Sequence, residues 1–183
     1  MMRKLTHEEL LNRQAGQSSL PLPFHVVLND VRSLHNVGSI FRTADGAGVA
    51  KLWICGITGF PPDSKISKTA LGAEKSVPWE YRRDPAALLR ELKEQGFKIV
   101  LLEQMEKSVP YEVFEPEAPV CLVLGNEIAG VTPELGSLCD SAVEIEMAGV
   151  KNSLNVTVAF GIVAYRFRQV LREAEVRAAG EKT

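Results

Sequence analysis

Three short stretches place amide, hydroxyl and charged side chains against apolar segments: "HNVGSIFRTA" (35–44), "LGNEIAGV" (124–131) and "KNSLNVTVAFGI" (151–162). Between them they supply one guanidinium (Arg42), one carboxylate (Glu127) and amide or hydroxyl groups at Asn36, Asn126, Asn152, Ser153 and Asn155. Groups of this kind hold and orient a ligand or a reacting hydroxyl rather than attack it. Each also has a plainer reading. Arg42 can pair with Asp45, Asn36 can cap a helix, and Glu127 can sit solvated in a turn. Ser153 can be an N-cap, and Asn155 a satisfied core amide two residues into an apolar helix. Gly38 costs a helix about 1 kcal/mol relative to alanine, so it predicts a close approach to the backbone there.

Other chemistries find little support. No strand is followed by GxGxxG, and Gly46 and Gly48 follow a helix, where capping explains them. The loop "GNEIAGVT" has the glycine spacing of a phosphate loop but Val131 where that loop needs lysine. There is no GxSxG and no HExxH, and His7, His25 and His35 share no metal-binding spacing; His25 reads as a strand-packing residue. Cys55, Cys121 and Cys139 are odd in number and lack CxxC spacing, which argues against a disulfide framework or a zinc site and for a reducing cytoplasm. A chain of 183 residues, 45% hydrophobic, suits one globular domain. Its net charge of -2 means that any nucleic-acid binding must come from local patches or from assembly of subunits. No long apolar leader and no run of about 20 apolar residues is present, which predicts an unexported chain without a membrane span.

The elements that must position these groups alternate. Thr6 and Glu9 have capping-box spacing for a short helix through about Asn12, which "GQSSLPLP" breaks. "FHVVLN" (24–29), "KLWICG" (51–56), "FKIVLL" (97–102) and "VCLVLG" (120–125) are apolar runs of strand length, and "AVEIEM" (142–147) alternates as a strand does. Helical spacing runs through Val37, Ile40, Phe41 and Ala44; Asp84-Pro85 and Thr132-Pro133 open two further helices, and the last begins near Ser153. Strands apolar on both faces and joined by helices predict an α/β fold, a mostly parallel sheet flanked by helices. The expected organisation is a short N-terminal extension (1–23), one domain (24–172) and a charged C-terminal tail (173–183).

Taken together and in order, "NVGSIFRTA", "LGNEIAGV" and "SLNVTVAFGI" resemble the three motifs of the SpoU-type, TrmH-like RNA 2′-O-ribose methyltransferases of the SPOUT superfamily, over about residues 29–167. The resemblance implies a C-terminal deep trefoil knot, a homodimer, S-adenosyl-L-methionine as methyl donor, and tRNA or rRNA as substrate. It implies cofactor contacts, largely through backbone, at Leu102, Glu103, Leu124, Gly125, Asn126, Glu127, Ile145, Met147, Ser153 and Leu154. Gly125 and Gly130 would let the chain bend around an adenosine. Catalytic roles fall on Arg42 and Asn155, with Asn36 and Glu127 fixing the loops or Glu127 taking the proton. Arg42 is expected to grip a phosphate and stabilise developing charge, because a guanidinium is a poor proton acceptor. No metal is required.

Lys65, Lys68 and Arg82, with Trp79 and Tyr81 nearby, form a candidate RNA-facing segment that reads equally well as a solvated helix and loop. The last helix, apolar nearly all round, is expected in the core or in a dimer interface. Glu146 departs from the Ile-Pro-Met that often precedes the third motif, which leaves open an RNA-binding protein of the same fold without turnover.

Overall fold

A computed structural model describes residues 2–15 and 21–180. The elements in chain order are α1 (His7–Ala15), β1 (Leu22–Asn29), α2 (Leu34–Ala47), β2 (Val49–Cys55), α3 (Ser64–Ala70), α4 (Ala73–Ser76), β3 (Trp79–Arg82), α5 (Pro85–Glu94), β4 (Lys98–Leu102), β5 (Val109–Pro110), β6 (Val120–Leu124), α6 (Pro133–Ser137), β7 (Ser141–Glu144) and α7 (Val156–Gly180). The strands form one seven-stranded sheet in the order β3-β2-β1-β6-β4-β7-β5, with every pairing parallel. This is the α/β sheet expected from the sequence.

The period of two along a strand divides the central strands between two cores. Phe24, Val26 and Leu28 of β1 and Leu122 and Leu124 of β6 face Phe41 of α2 and Phe160 and Phe167 of α7. Val27, Cys121 and Val123 face the opposite way, onto Leu88, Leu89 and Leu92 of α5 and Leu135 of α6. The helices therefore lie in two layers, α2 and α7 on one face and α5 and α6 on the other. His25 packs as expected: its Nδ1 accepts from Trp53 Nε1 at 3.3 Å and its ring stacks on Phe97. Burial, with Lys51 nearby, lowers its pKa to about 4.

Local signals mostly held. Thr6 and Glu9 form the capping box, with Thr6 N–H donating to Glu9 Oε2 at 2.7 Å. Asp84 and Thr132 cap α5 and α6, each ahead of a first-turn proline. Gly48 ends α2 at φ 75°. The "GQSSLPLP" break lies largely at residues 16–20, outside the described residues. Strand β1 starts earlier than expected, at Leu22, and Pro23, which has no N–H for the ladder, falls where the register with β2 shifts. Strands β3 and β5 were not foreseen in the sequence: they are the two edge strands of the sheet, of four and two residues, without a continuous buried run. Gly38 carries the expected close approach, since a Cβ there would lie 2.1 Å from Thr69 Oγ1 and 2.3 Å from the Ile66 carbonyl oxygen of α3.

Candidate active site

In a parallel sheet every carboxyl end points to the same rim, and ligands bind in the crevices there. At the ends of β4, β6 and β7 the rim opens into a cavity of about 430 Å³. The end of β4 and the turn after it contribute Leu102, Glu103 and Gln104; the end of β6 and the loop after it contribute Leu124 to Ile128 and Gly130. From the segment after β7 come Ile145 and Met147, and from the approach to α7 come Asn152, Ser153 and Leu154. All ten residues expected to touch the cofactor line this one cavity, although they come from four separate segments. Sequence reasoning passed over Gln104, Ile128, Glu144, Val156 and Ala159, which line it too, as does Asn152, singled out in the sequence for its amide but not given to the cofactor. Gln104 directly follows Glu103, and its Nε2 donates to the Asn152 carbonyl at 2.7 Å, joining two of the loops.

The loop after β6 is closed on itself. Asn126 N–H donates to the Gly130 carbonyl at 2.9 Å, and Gly130 N–H to the Asn126 carbonyl at 3.0 Å. Asn126 Oδ1 accepts from the amides of Ile128 and Ala129, both at 2.9 Å, while its Nδ2 donates to the Asp30 carbonyl at 2.8 Å. A Cβ at Gly125 would lie 2.7 Å from the Gly130 backbone, so only glycine fits this turn.

Glu127 reaches out of that loop to the start of α2. Its carboxylate accepts from the amides of Arg32 at 3.2 Å and Ser33 at 3.4 Å, and from Asn36 Nδ2 at 3.0 Å. Burial pushes this carboxyl up, but hydrogen bonds from its own amide, Arg32, Asn36 and Ser33 outweigh it and hold the pKa below the ordinary glutamate value. Asn36 is therefore a bridge and not the helix cap: Ser33 is the N-cap, its Oγ accepting from Asn36 N–H at 3.3 Å. On the other side, Asn36 Oδ1 accepts from Asn155 Nδ2 at 3.4 Å. The three motifs thus meet in one relay, Asn155 to Asn36 to Glu127.

Asn155 differs from expectation in a second way. It is exposed, and α7 starts at Val156, so Asn155 itself caps the helix in place of Ser153; its Oδ1 accepts from Thr157 N–H at 2.8 Å and Thr157 Oγ1 at 2.7 Å. Ser153 is left to line the cavity. Arg42 is exposed two turns along α2, about 9 Å up the axis from Asn36, and is not part of the cavity lining. It does not pair with Asp45, whose Oδ1 accepts from Ser76 Oγ at 2.7 Å; among the described residues Arg42 has no ion pair. Lys65 and Lys68 are exposed on α3, also without ion pairs among the described residues. Arg82, by contrast, is held by Glu80 and by a short contact with Glu91. Glu146 is exposed and lies outside the cavity lining, between two residues that belong to it.

A parallel α/β sheet with a carboxyl-edge cavity, closed by three loops and a helix N-terminus, defines a small-molecule-binding class of fold. The chain belongs to the SpoU rRNA Methylase family, whose model matches residues 23–165. It is similar to the tRNA (guanosine(18)-2'-O)-methyltransferase of Aquifex aeolicus, with 35% identity over 81% of this chain and 70% of that protein. With the 23S rRNA (guanosine-2'-O-)-methyltransferase RlmB of Vibrio parahaemolyticus it shares 33% identity over 78% of this chain, which spans only 58% of that protein. Among solved structures, the A. aeolicus TrmH/SpoU tRNA modifying enzyme superposes with a TM-score of 0.78 at 32% identity, covering 86% of this chain and 79% of that one. The AdoMet-bound rRNA methyltransferase from Sinorhizobium meliloti gives a TM-score of 0.75 at 30% identity, covering 80% and 56%.

Proposed function

We propose that this chain is an S-adenosyl-L-methionine-dependent methyltransferase acting on a ribose 2′-hydroxyl of tRNA or rRNA. The observation that carries the reading is the cavity itself. Its lining includes Glu103, Glu127 and Glu144 and no lysine or arginine, which suits a ligand bearing a sulfonium and an ammonium against a single carboxylate. Leu102, Leu124, Ile145 and Leu154 supply apolar walls for an adenine ring, and the turn at Gly125 keeps backbone within reach of it. When bound, the cofactor supplies an electrophilic methyl group.

The protein's own part is alignment. Asn155 is not itself part of the lining, but it is fixed by Thr157 and Asn36 between Leu154 and Val156, which are, and from there it orients the incoming hydroxyl. Glu127, ionised and engaged by three neighbouring donors, locks the loop after β6 to α2 and is poorly suited to take the proton. Arg42, exposed and without an ion pair among the described residues, grips a phosphate beside the target ribose and stabilises charge developing on the oxygen. Glu146 stands clear of the cavity and leaves turnover intact.

A homodimer belongs to the same reading. Val158 and Tyr165 are each 50% exposed on α7, and with Ile162 they recur at positions i, i+4 and i+7, an apolar stripe that a second copy would cover. We also propose the knotted C-terminal path that the resemblance implies, and residence in the cytoplasm with the RNA substrate.

Incubation with labelled S-adenosyl-L-methionine and, separately, tRNA and rRNA from cells lacking this protein tests the reaction. A 2′-O-methylated nucleotide in one pool is expected. Cofactor and RNA binding without incorporation into either pool would replace this reading with that of an RNA-binding protein.

A further inference from the structure

At the carboxyl ends of β2 and β3, on the sheet face covered by α2, the chain leaves aromatic surface uncovered. Phe60 is 45% exposed, Tyr81 37% and Ile57 71%. The rings of Phe60 and Tyr81 lie 4.8 Å apart, and Phe60 rests at 6.0 Å on Trp79, which meets the buried Phe41 at 6.5 Å. The exposed pair is thus the outer end of a chain of tilted and edge-on ring contacts rooted in the core.

Its supports are rigid. Tyr81 Oη donates to the Gly56 carbonyl at 2.9 Å, and Ile57 N–H donates to Asp30 Oδ1 at 2.9 Å. Thr58, 2% exposed, ties the loop to β1 through the Leu28 carbonyl and the Val31 amide. Gly59 packs so closely on Leu34 that a Cβ would lie 2.3 Å from its Cδ2. The loop is therefore fastened to the β1–α2 connection, the same segment whose Arg32 and Ser33 amides hold Glu127. Exposed side chains of Arg32, Lys65 and Lys68 lie on that connection and on α3, without ion pairs among the described residues; the nearby Asp30 and Asp63 are occupied with the amides of Ile57 and Lys65.

We propose that Phe60 and Tyr81 form a stacking platform for an unpaired nucleobase of the substrate RNA, close in sequence to the methylated ribose, with the flanking cations meeting its phosphates. The proposal rests on the RNA methyltransferase reading above. Flat rings held in fixed orientation match the π-face that every base offers, and unpaired cations beside them match the backbone. Because the platform and the Glu127 relay share one rigid connection, a base seated there also fixes where the neighbouring ribose lies.

The test compares wild-type protein with Phe60→Ala, Phe60→Leu, Tyr81→Ala and Tyr81→Phe, measuring the Kd for a short labelled oligoadenylate and the KM for tRNA and rRNA from cells lacking the protein. Loss of either ring is expected to raise both constants about tenfold, with an unchanged salt slope. Phe60→Leu keeps the packing bulk but should lose the affinity, and Tyr81→Phe should restore most of what Tyr81→Ala loses. Unchanged RNA constants in Phe60→Leu and Tyr81→Ala would overturn the platform. So would unchanged RNA affinity with altered sedimentation of the free protein, which would assign the patch to a second copy of the chain. A wild-type protein that bound no RNA would remove the functional reading first, and the platform with it.

Discussion

Asn155 uses one side chain for two purposes, and they can be separated. Its carbonyl oxygen caps α7, while its NH2 group donates to Asn36. Asn155→Ser keeps an N-cap oxygen and loses the amide donor, so thermal melts should match wild type while labelled methyl transfer falls at least tenfold. Asn155→Ala should lose transfer and, in addition, about 1 kcal/mol of stability, a fall of roughly 2–4 °C in melting temperature. Arg42→Ala, at an exposed position without an ion pair among the described residues, should leave the melt unchanged and still lower transfer strongly. Glu127 gives a pH test with a definite sign. Its folded pKa is depressed, so the stability it contributes is present above the unfolded glutamate range and is lost as pH falls through the folded value. Glu127→Gln should therefore flatten the acid limb of the stability curve below about pH 4.5, as read by denaturant titration across pH. Wild-type transfer should show no inflection from this residue near neutrality. The sequence announced that these polar groups cluster at element boundaries; it did not reveal who caps whom. Ser33 and Asn36 are both good caps, and only the arrival of Glu127 from 91 residues away gives the cap to one and the bridge to the other.

Helix α2 and helix α7 each contain a glycine with an opposite expected response to alanine. At Gly38 a Cβ would collide with Thr69 and with the backbone of α3, so Gly38→Ala should cost about 1–3 kcal/mol despite alanine's better helix propensity. At Gly161 the nearest atom to a new Cβ is Thr43 Cγ2 at 3.9 Å, an ordinary contact, so Gly161→Ala should gain about 0.5–1 kcal/mol. Chemical denaturation of both variants checks the pair. The elements that were legible in the sequence are those that bury a continuous face: β1, β2, β4 and β6 read as apolar runs because helices cover them on both sides. Strand β3 escaped because Trp79–Arg82 alternates aromatic and charged residues at a sheet edge, with none of the four fully buried. The start of α7 was expected near Ser153 because a serine ahead of an apolar run is a good N-cap, yet Asn152, Ser153 and Leu154 stay outside the helix and wall the cavity.

At the scale of the whole molecule, a net charge of -2 gives no general attraction for RNA, so the unpaired cations at one rim must act locally. The apolar stripe on α7 makes a separate demand. Val158→Asp should turn the proposed dimer into a monomer in analytical ultracentrifugation, with circular dichroism unchanged because the side chain is half exposed in the single chain. Sedimentation as a dimer after this change would remove α7 from the interface. The fold class could be read from the alternation of elements, whereas the cavity lining was legible only through the resemblance of the three motifs, because it is assembled from the ends of strands that are neighbours in the sheet but not in the chain. The Asn155–Asn36–Glu127 relay spans most of the sequence, with contacts 119 and 91 residues apart. A chain emerging from the ribosome carries α2 early and the loop after β6 much later, and the amide that completes the mouth of the site comes last. Methylation competence therefore cannot precede the emergence of residue 155, and a chain truncated before it would carry the residues of all seven strands and no working site.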